Sequence, residues 1–286
     1  MSCRTCLSDC ESREQVRAWL ARDRRRYGVK TDQAEIVVAL AGNPNTGKST
    51  VFNHLTGLRQ HTGNWPGKTV TRAEGRFTRG ETRFRLVDLP GTYSLLSQSE
   101  DERIARDFLF FGQPDVTVVV ADATALARNL GLVYQIFELH GDVVVCCNLM
   151  DEARRRGVEI DVACLSEELG VPVVPAVARR GDGMEALVDS VSAVARGERV
   201  CAPRRVTYPE ALERALDEMT VKLRPLLPHL PNLRWVALRL LDGDEEMGAA
   251  LADGRLERLE RVARVVAEEE ADTADTPGLT EAPEGA

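Results

Sequence analysis

Between residues 35 and 198 the chain alternates two hydrophobic rhythms. Short β-branched runs predict strands at EIVVALA (35–41), VTVVVAD (116–122), DVVVCCN (142–148) and VPVVPAV (171–177). A further pair, within 75–88, turns at Arg79-Gly80. Between the later runs, ERIARDFLFF, LARNLGLVYQIFELH and GMEALVDSVSAVA carry helical spacing. Strands alternating with helices predict an α/β fold, a mostly parallel sheet flanked by helices. From Pro209 the strand signal stops, and PEALERALDEMTVKLRPLL, PNLRWVALRLL and GRLERLERVARVVAEEE read as amphipathic helices. Leu233, Val236, Ala237, Leu240 and Leu241 make one apolar stripe; Leu256, Leu259, Val262 and Val266 make another. Residues 204–268 are thus expected to form a small all-helical domain.

The ends of the chain differ in kind. Residues 1–34 hold three cysteines and then a helical stretch with Val16, Trp19 and Leu20 on one face and a stop at Gly28. Residues 269–286 are acidic, contain Pro and Gly, lack periodicity and are expected to be disordered. No internal repeat is visible.

Composition narrows the function classes. A length of 286 residues allows roughly two domains at about 150 residues each. No apolar run approaches the ~18 residues of a membrane span, and no apolar segment near Met1 reads as a secretion signal. The expectation is a cytoplasmic protein, at most docked peripherally to the inner face of a membrane through a partner. A formal charge of −8 argues against nonspecific nucleic-acid binding. Seven cysteines without an export signal are not read as a disulfide framework.

The strongest chemical signal starts where the first strand ends, at Gly42-Asn43-Pro44-Asn45-Thr46-Gly47-Lys48-Ser49. This is G-x-x-x-x-G-K-[ST] between a strand and a helix (Thr50 to Leu55), the context a phosphate-binding loop requires. The two glycines let backbone N–H groups wrap a β-phosphate, and Thr50 opens the helix whose positive N-terminus adds to the attraction. Lys48 reaches the β- and γ-phosphates, and Ser49 is a Mg²⁺ ligand. The bland alternative is a glycine turn with an incidental lysine.

Two further motifs follow in the order a GTPase needs. Asp88-Leu89-Pro90-Gly91 ends a strand: Asp88 holds Mg²⁺ through water, and the Gly91 N–H senses a γ-phosphate. Asn148-Leu149-Met150-Asp151 ends the VVVCC strand, where the Asp151 carboxylate accepts from guanine N1–H and its 2-amino group. Adenine offers neither donor. Alone, Asn148 and Asp151 would read as a helix-capping pair. Together the motifs predict a P-loop GTPase of Ras-like fold that takes GTP and releases GDP.

GNPNTGKSTVFNHLTG, HTGNWPGKTV, DLPGTYSLLS, NLMDEA and RGDGMEAL together resemble the cytosolic G domain of FeoB-type ferrous iron transporters. RWVALRLLDGD resembles the helical domain that follows it there, so the likeness covers about residues 35–265. In that family the G and helical domains lead into a membrane permease. The resemblance therefore implies either a stand-alone relative serving a separate membrane iron permease or a piece of such a transporter. Homo-oligomer formation is a further association left open.

The resemblance also implies roles. Thr69 matches the switch I threonine that closes on Mg²⁺ and the γ-phosphate, with Thr62 and Thr71 as weaker candidates; residues 60–71 and 92–101 would be the two switches. After DLPG stands Thr92, then Tyr93, where Ras-like enzymes carry a water-orienting Gln, so slow intrinsic turnover is expected. Asn45 matches the asparagine that coordinates K⁺ in potassium-activated GTPases, with carbonyls around Asn64 and Trp65 completing the shell; the bland alternative is a local hydrogen bond that stabilises the loop. Such an ion would put positive charge where an arginine finger does. Two positions depart from the pattern. Leu149 replaces the usual Lys, and Ala178 stands where the family often has Ser, leaving a backbone N–H from Ala178 to meet guanine O6. Micromolar, fast-exchanging GDP is the consequence expected.

The remaining residues carry weaker readings. Cys3, Cys6 and Cys10 form C-x₂-C-x₃-C, either three thiolates for a metal or a reduced terminus without one. Cys146 and Cys147 are expected in the core, Cys164 and Cys201 to be incidental. Arg22, Arg24, Arg25 and Arg26 read as a solvated helix face, with contact to anionic lipid as the alternative. His61, within switch I, reads as a solvent-facing loop residue, with a catalytic role as the alternative. Two rival classes are a ribosome-assembly GTPase, disfavoured by the acidic helical segment, and a nucleotide-binding regulatory module without turnover.

Overall fold

The computed structural model describes residues 35–57, 60–96, 99–230 and 232–261. Cys3, Cys6, Cys10, the stripe through Trp19, the arginine run, Val262, Val266 and the acidic tail lie outside them. The described chain divides into two units, 35–209 and 210–261.

In the first unit the elements run β1 (Glu35–Gly42), α1 (Lys48–Thr56), β2 (Gln60–Asn64), β3 (Thr71–Arg79), β4 (Thr82–Asp88), α2 (Glu100–Phe111), β5 (Val116–Asp122), α3 (Leu126–Leu139), β6 (Val143–Asn148), α4 (Met150–Arg155), α5 (Val162–Leu169), β7 (Val173–Pro175) and α6 (Met184–Ala195). One seven-stranded sheet has the order β2-β3-β4-β1-β5-β6-β7. The β4-β1-β5-β6-β7 part is parallel, and β2 and β3 join antiparallel at one edge. Strands covered on both faces need no polar side, so Val37–Leu40, Val118–Val120 and Val143–Cys147 are continuous apolar runs with 0–1% exposure. Each such side chain contributes roughly 1.5–3 kcal/mol by leaving water. The parallel strands share a direction, so their carboxyl ends lie along one edge, where ligands bind in open α/β sheets.

The sheet departs from the sequence reading at its antiparallel edge. Residues 60–64, expected as switch loop, form β2. QHTGN carries no strand pattern of its own; it is a strand because it pairs with β3, from Gln60 opposite Gly75 to Asn64 opposite Thr71. The hairpin closes with the Trp65 N–H donating to Val70 O (2.9 Å). Trp65 is buried, edge-on to Phe108 of α2 at 5.6 Å between ring centroids. The same pairing starts β3 at Thr71, ahead of the predicted 75. Arg85, a charge inside β4, is buried because Glu35 (2.8 Å) and Glu74 (3.0 Å) on the neighbouring strands take its guanidinium.

The second unit holds α7 (Glu210–Leu223), α8 (Leu233–Leu241), α9 (Glu245–Ala252) and a further helical stretch at 255–261. Leu216, Leu223, Leu233, Val236, Ala237, Met247, Leu256 and Leu259 are buried. The predicted stripe on α8 stops short, for Leu241 is 39% exposed at the helix end. Helix α9 lacked an apolar signal. It is started by Asp244, which accepts from the Glu246 and Met247 N–H groups and holds the buried Arg239 at 2.9 Å. Among the described residues no helix is long and apolar enough to cross a membrane.

Candidate functional site

Three loops leave the carboxyl ends of β1, β4 and β6, and a fourth follows β7. The first turns on two positions that admit only glycine. A Cβ on Gly42 would lie 2.5 Å from Val120 O, and one on Gly47, at φ 84°, would run into the Asn148 amide. Between them Asn45 takes the left-handed conformation (φ 66°) with its side chain exposed, and Thr46 is buried with its hydroxyl donating to Asn43 O (3.0 Å). Helix α1 starts at once, with Thr50 N–H donating to Gly47 O (2.9 Å). The result is a concave backbone at a helix N-terminus, a shape matched to phosphate. Ser49 and Thr50 are exposed at its mouth.

Lys48 does not project freely from this loop. Its ammonium is ion-paired with Asp88 and donates to Leu89 O at 2.6 Å. Burial pushes the Asp88 carboxyl above the ordinary range, opposed by the charge and hydrogen bond of Lys48. The D-x-P-G turn lies against the phosphate loop: a Cβ on Gly91 would be 3.4 Å from Pro44 Cα, and Thr92 N–H donates to Gly42 O (3.3 Å).

Asn148 plays a part that its motif did not reveal. It is 1% exposed; its Nδ2 donates to Thr46 O (2.9 Å) and its Oδ1 accepts from Ala178 N–H (2.9 Å). The side chain is spent bracing the phosphate loop to the loop after β7. The capping alternative is also excluded, because the residue that precedes α4 is Leu149 (φ 63°) and no side chain caps the helix. The expected donation from Ala178 to guanine O6 needs correction as well, since that N–H is committed to Asn148. Asp151 keeps its carboxylate at the site edge, 3.2 Å from Arg155 one turn along α4.

Switch I is the part that the structure does not gather. Thr69 is exposed and donates to Glu100 Oε2 (3.4 Å) at the head of α2, where Lys68 also meets Glu100 at 3.4 Å. The Trp65 carbonyl expected in a potassium shell accepts the Lys68 N–H (2.9 Å), and Asn64 pairs in β2. Thr62 and Thr71 are exposed strand residues, and His61 faces solvent from a strand instead of a loop.

The donor chemistry fits the ions expected. Ser49 and Asp88 are hard oxygen ligands suited to Mg²⁺ beside a phosphate cradle, and the Asn45 amide oxygen suits an alkali cation. Among the described residues no three His, Cys, Asp or Glu side chains form a metal site. Any ion here would take most of its ligands from phosphate and water, as Mg²⁺ does. Cys146 and Cys147 are fully buried, their thiols pushed up to about 12 and about 11 by burial, as core residues should be. Cys164 is exposed, and Cys201 is half-buried with its thiol 3.5 Å from Val143 O.

A family model described as Ferrous iron transport protein B matches residues 36–191, and one for the FeoB cytosolic helical domain matches residues 208–277. The Fe(2+) transporter FeoB of Salmonella typhimurium is 42% identical over 214 residues, 73% of this chain and 27% of that protein. The chain spans about a quarter of the length of the curated relatives it matches. Among solved structures, the cytosolic domain of the T. maritima FeoB iron transporter in its GMPPNP form has a TM-score of 0.68 at 35% identity. The match covers 82% of this chain and 98% of that one. A mutant NFeoB from S. thermophilus bound to GDP has a TM-score of 0.69 at 32% identity, covering 82% and 90%.

Proposed function

This chain belongs to the ferrous iron transport protein B family, and on that premise we propose that it binds GTP and hydrolyses it to GDP and phosphate as a switch governing ferrous iron transport. The observation that carries the reading is the arrangement of three motifs along one sheet edge: a phosphate cradle after β1, Asp88-Leu89-Pro90-Gly91 packed against it, and Asp151 at the base position after β6. Relatives solved with GDP and with GMPPNP support it.

In this reading the loop amides and Lys48 bind the phosphates, which requires Lys48 to leave Asp88. Ser49, and Asp88 through water, would hold Mg²⁺, with Thr69 as a further ligand once free of Glu100, and Gly91 N–H contacts the γ-phosphate. Asn45 holds K⁺. The two ions, when bound, neutralise charge on the transferring phosphoryl group. Asp151 selects guanine. With Ala178 committed to Asn148, the O6 donor passes to the next N–H, that of Arg179. Absence of a Gln after Gly91 makes intrinsic turnover slow and dependent on potassium. The iron pathway itself would lie in a membrane permease, either a separate partner or a further part of the same polypeptide, with these units on its cytosolic side.

GTP turnover with Mg²⁺, measured in KCl and in NaCl at equal ionic strength, tests the reading. Turnover several-fold faster in KCl, lost in Asn45→Ala, is expected. Cation-independent turnover would remove the potassium role, and tight GTP binding with no phosphate release would leave a binding module.

A further inference from the structure

Residues 92–96 belong to no helix or strand, yet they directly follow the γ-phosphate sensor Gly91. Their upstream end is tied by the Thr92 N–H bond to Gly42 O. Inside the segment, the Thr92 hydroxyl donates to Ser94 O (2.7 Å), and the Ser94 hydroxyl accepts from Leu96 N–H (3.1 Å). Downstream, the buried Leu95 donates its N–H to Gln135 Oε1 at 2.7 Å, and the Ser94 hydroxyl meets the same oxygen at 3.3 Å. Leu95 N–H can only donate, so it is the amide oxygen of Gln135 that faces the segment. Between the two ties Tyr93 stands 48% exposed, with the Arg128 guanidinium 4.4 Å from its ring centre. Arg128 and Gln135 are seven residues apart on α3 and so share one face of that helix.

We propose that Gln135 is a positioning residue for GTP turnover: from α3 it anchors residues 92–96 so that the neighbouring Gly91 N–H stays aimed at the γ-phosphate. This rests on the GTPase reading above. Thr92 supplies no side chain that reaches a fixed element, since its hydroxyl closes on Ser94 only two residues away. A backbone donor must keep its distance and angle to act on developing charge, and a tether supplied by a neighbouring helix meets that need. Arg128 adds a weaker hold through Tyr93.

The test compares Gln135→Met, similar in size but without a strong acceptor, with Gln135→Glu, which keeps an acceptor there. In the intact chain with Mg²⁺ and K⁺, single-turnover GTP cleavage is measured beside the Kd for GDP and for GMPPNP. Gln135→Met should slow cleavage about tenfold and weaken GMPPNP about fivefold, the scale of one lost hydrogen bond, while GDP binding stays within about twofold. Gln135→Glu should restore both to within about threefold of the parent. Arg128→Ala, on the surface and no threat to folding, should shift both in the same direction by about twofold. Cleavage by Gln135→Met at the parent rate, equal weakening of GDP and GMPPNP, or no rescue by Gln135→Glu would each overturn the positioning role. A parent that neither binds GMPPNP nor cleaves GTP would sink the GTPase reading itself, and this inference with it. An active parent with an unaffected Gln135→Met would sink only the inference.

Discussion

The two halves of the site are built differently. The half that would meet the base and the α- and β-phosphates is assembled without a ligand. Its phosphate loop is locked by two glycines with no room for a side chain, and Asn148 bonds it to the loop after β7 from a fully buried position. The half that would meet the γ-phosphate is held by fewer and more exposed side-chain contacts. Thr69 and Lys68 share the half-buried carboxylate of Glu100, and residues 92–96 are held to α3 by the one side chain of Gln135. Buried, fully satisfied bonds are costly to break, whereas exposed ion pairs are worth about 0–1 kcal/mol. A nucleoside diphosphate therefore meets a ready backbone cradle and has only to draw Lys48 from Asp88, whereas a triphosphate must also draw Thr69 from Glu100.

Removing the brace should break this contrast most severely. Asn148→Ala strands Thr46 O and Ala178 N–H without partners, at about 1–3 kcal/mol each. GDP and GMPPNP should both weaken by about a hundredfold in titration calorimetry. Unchanged GDP affinity would mean that the first half is held by something else.

A smaller effect probes the strand beneath the brace. Burial raises the Cys146 and Cys147 thiols to about 12 and about 11 from 9.0. Groups raised in this way contribute stability that is complete below the unfolded value near 9 and is lost as pH climbs toward the folded values. Unfolding free energy from urea titration should therefore drop by about 3 kcal/mol between pH 8 and 10, the scale of one unit per thiol. Cys147→Ala should halve that drop. An equal drop in the variant would assign it to other groups.

The smallest change sharpens the comparison. Glu100→Ala frees Thr69 and Lys68, so GMPPNP should bind about two- to threefold tighter with GDP unaltered, as befits an exposed contact. Tightening of both nucleotides alike would show that Glu100 acts on the braced half.

Much of this was legible along the chain because it is local. The apolar runs of β1, β5 and β6 name buried parallel strands, and the glycines and Lys48 name a phosphate loop whose mechanics need only consecutive residues. Strand β2 was illegible because QHTGN becomes a strand only through pairing with Thr71–Gly75. Helix α9 was illegible because its start depends on Asp244, a residue that also answers the charge of Arg239.

For the site, the sequence by itself determined the chemistry offered: amides and Lys48 for phosphate, Ser49 and Asp88 for a hard cation, Asp151 for a base with paired donors. Tertiary structure alone decided which groups remain available. Asn148 and the Ala178 N–H, both assigned to nucleotide by their motifs, are spent on each other. Thr69 is held by Glu100, and Gln135, marked by no motif, holds the loop after Gly91. Each of these bonds joins groups about 30 to 40 residues apart. Short motifs record spacing along the chain, and hydrogen bonds at such separations are set by how helices and loops pack on the sheet.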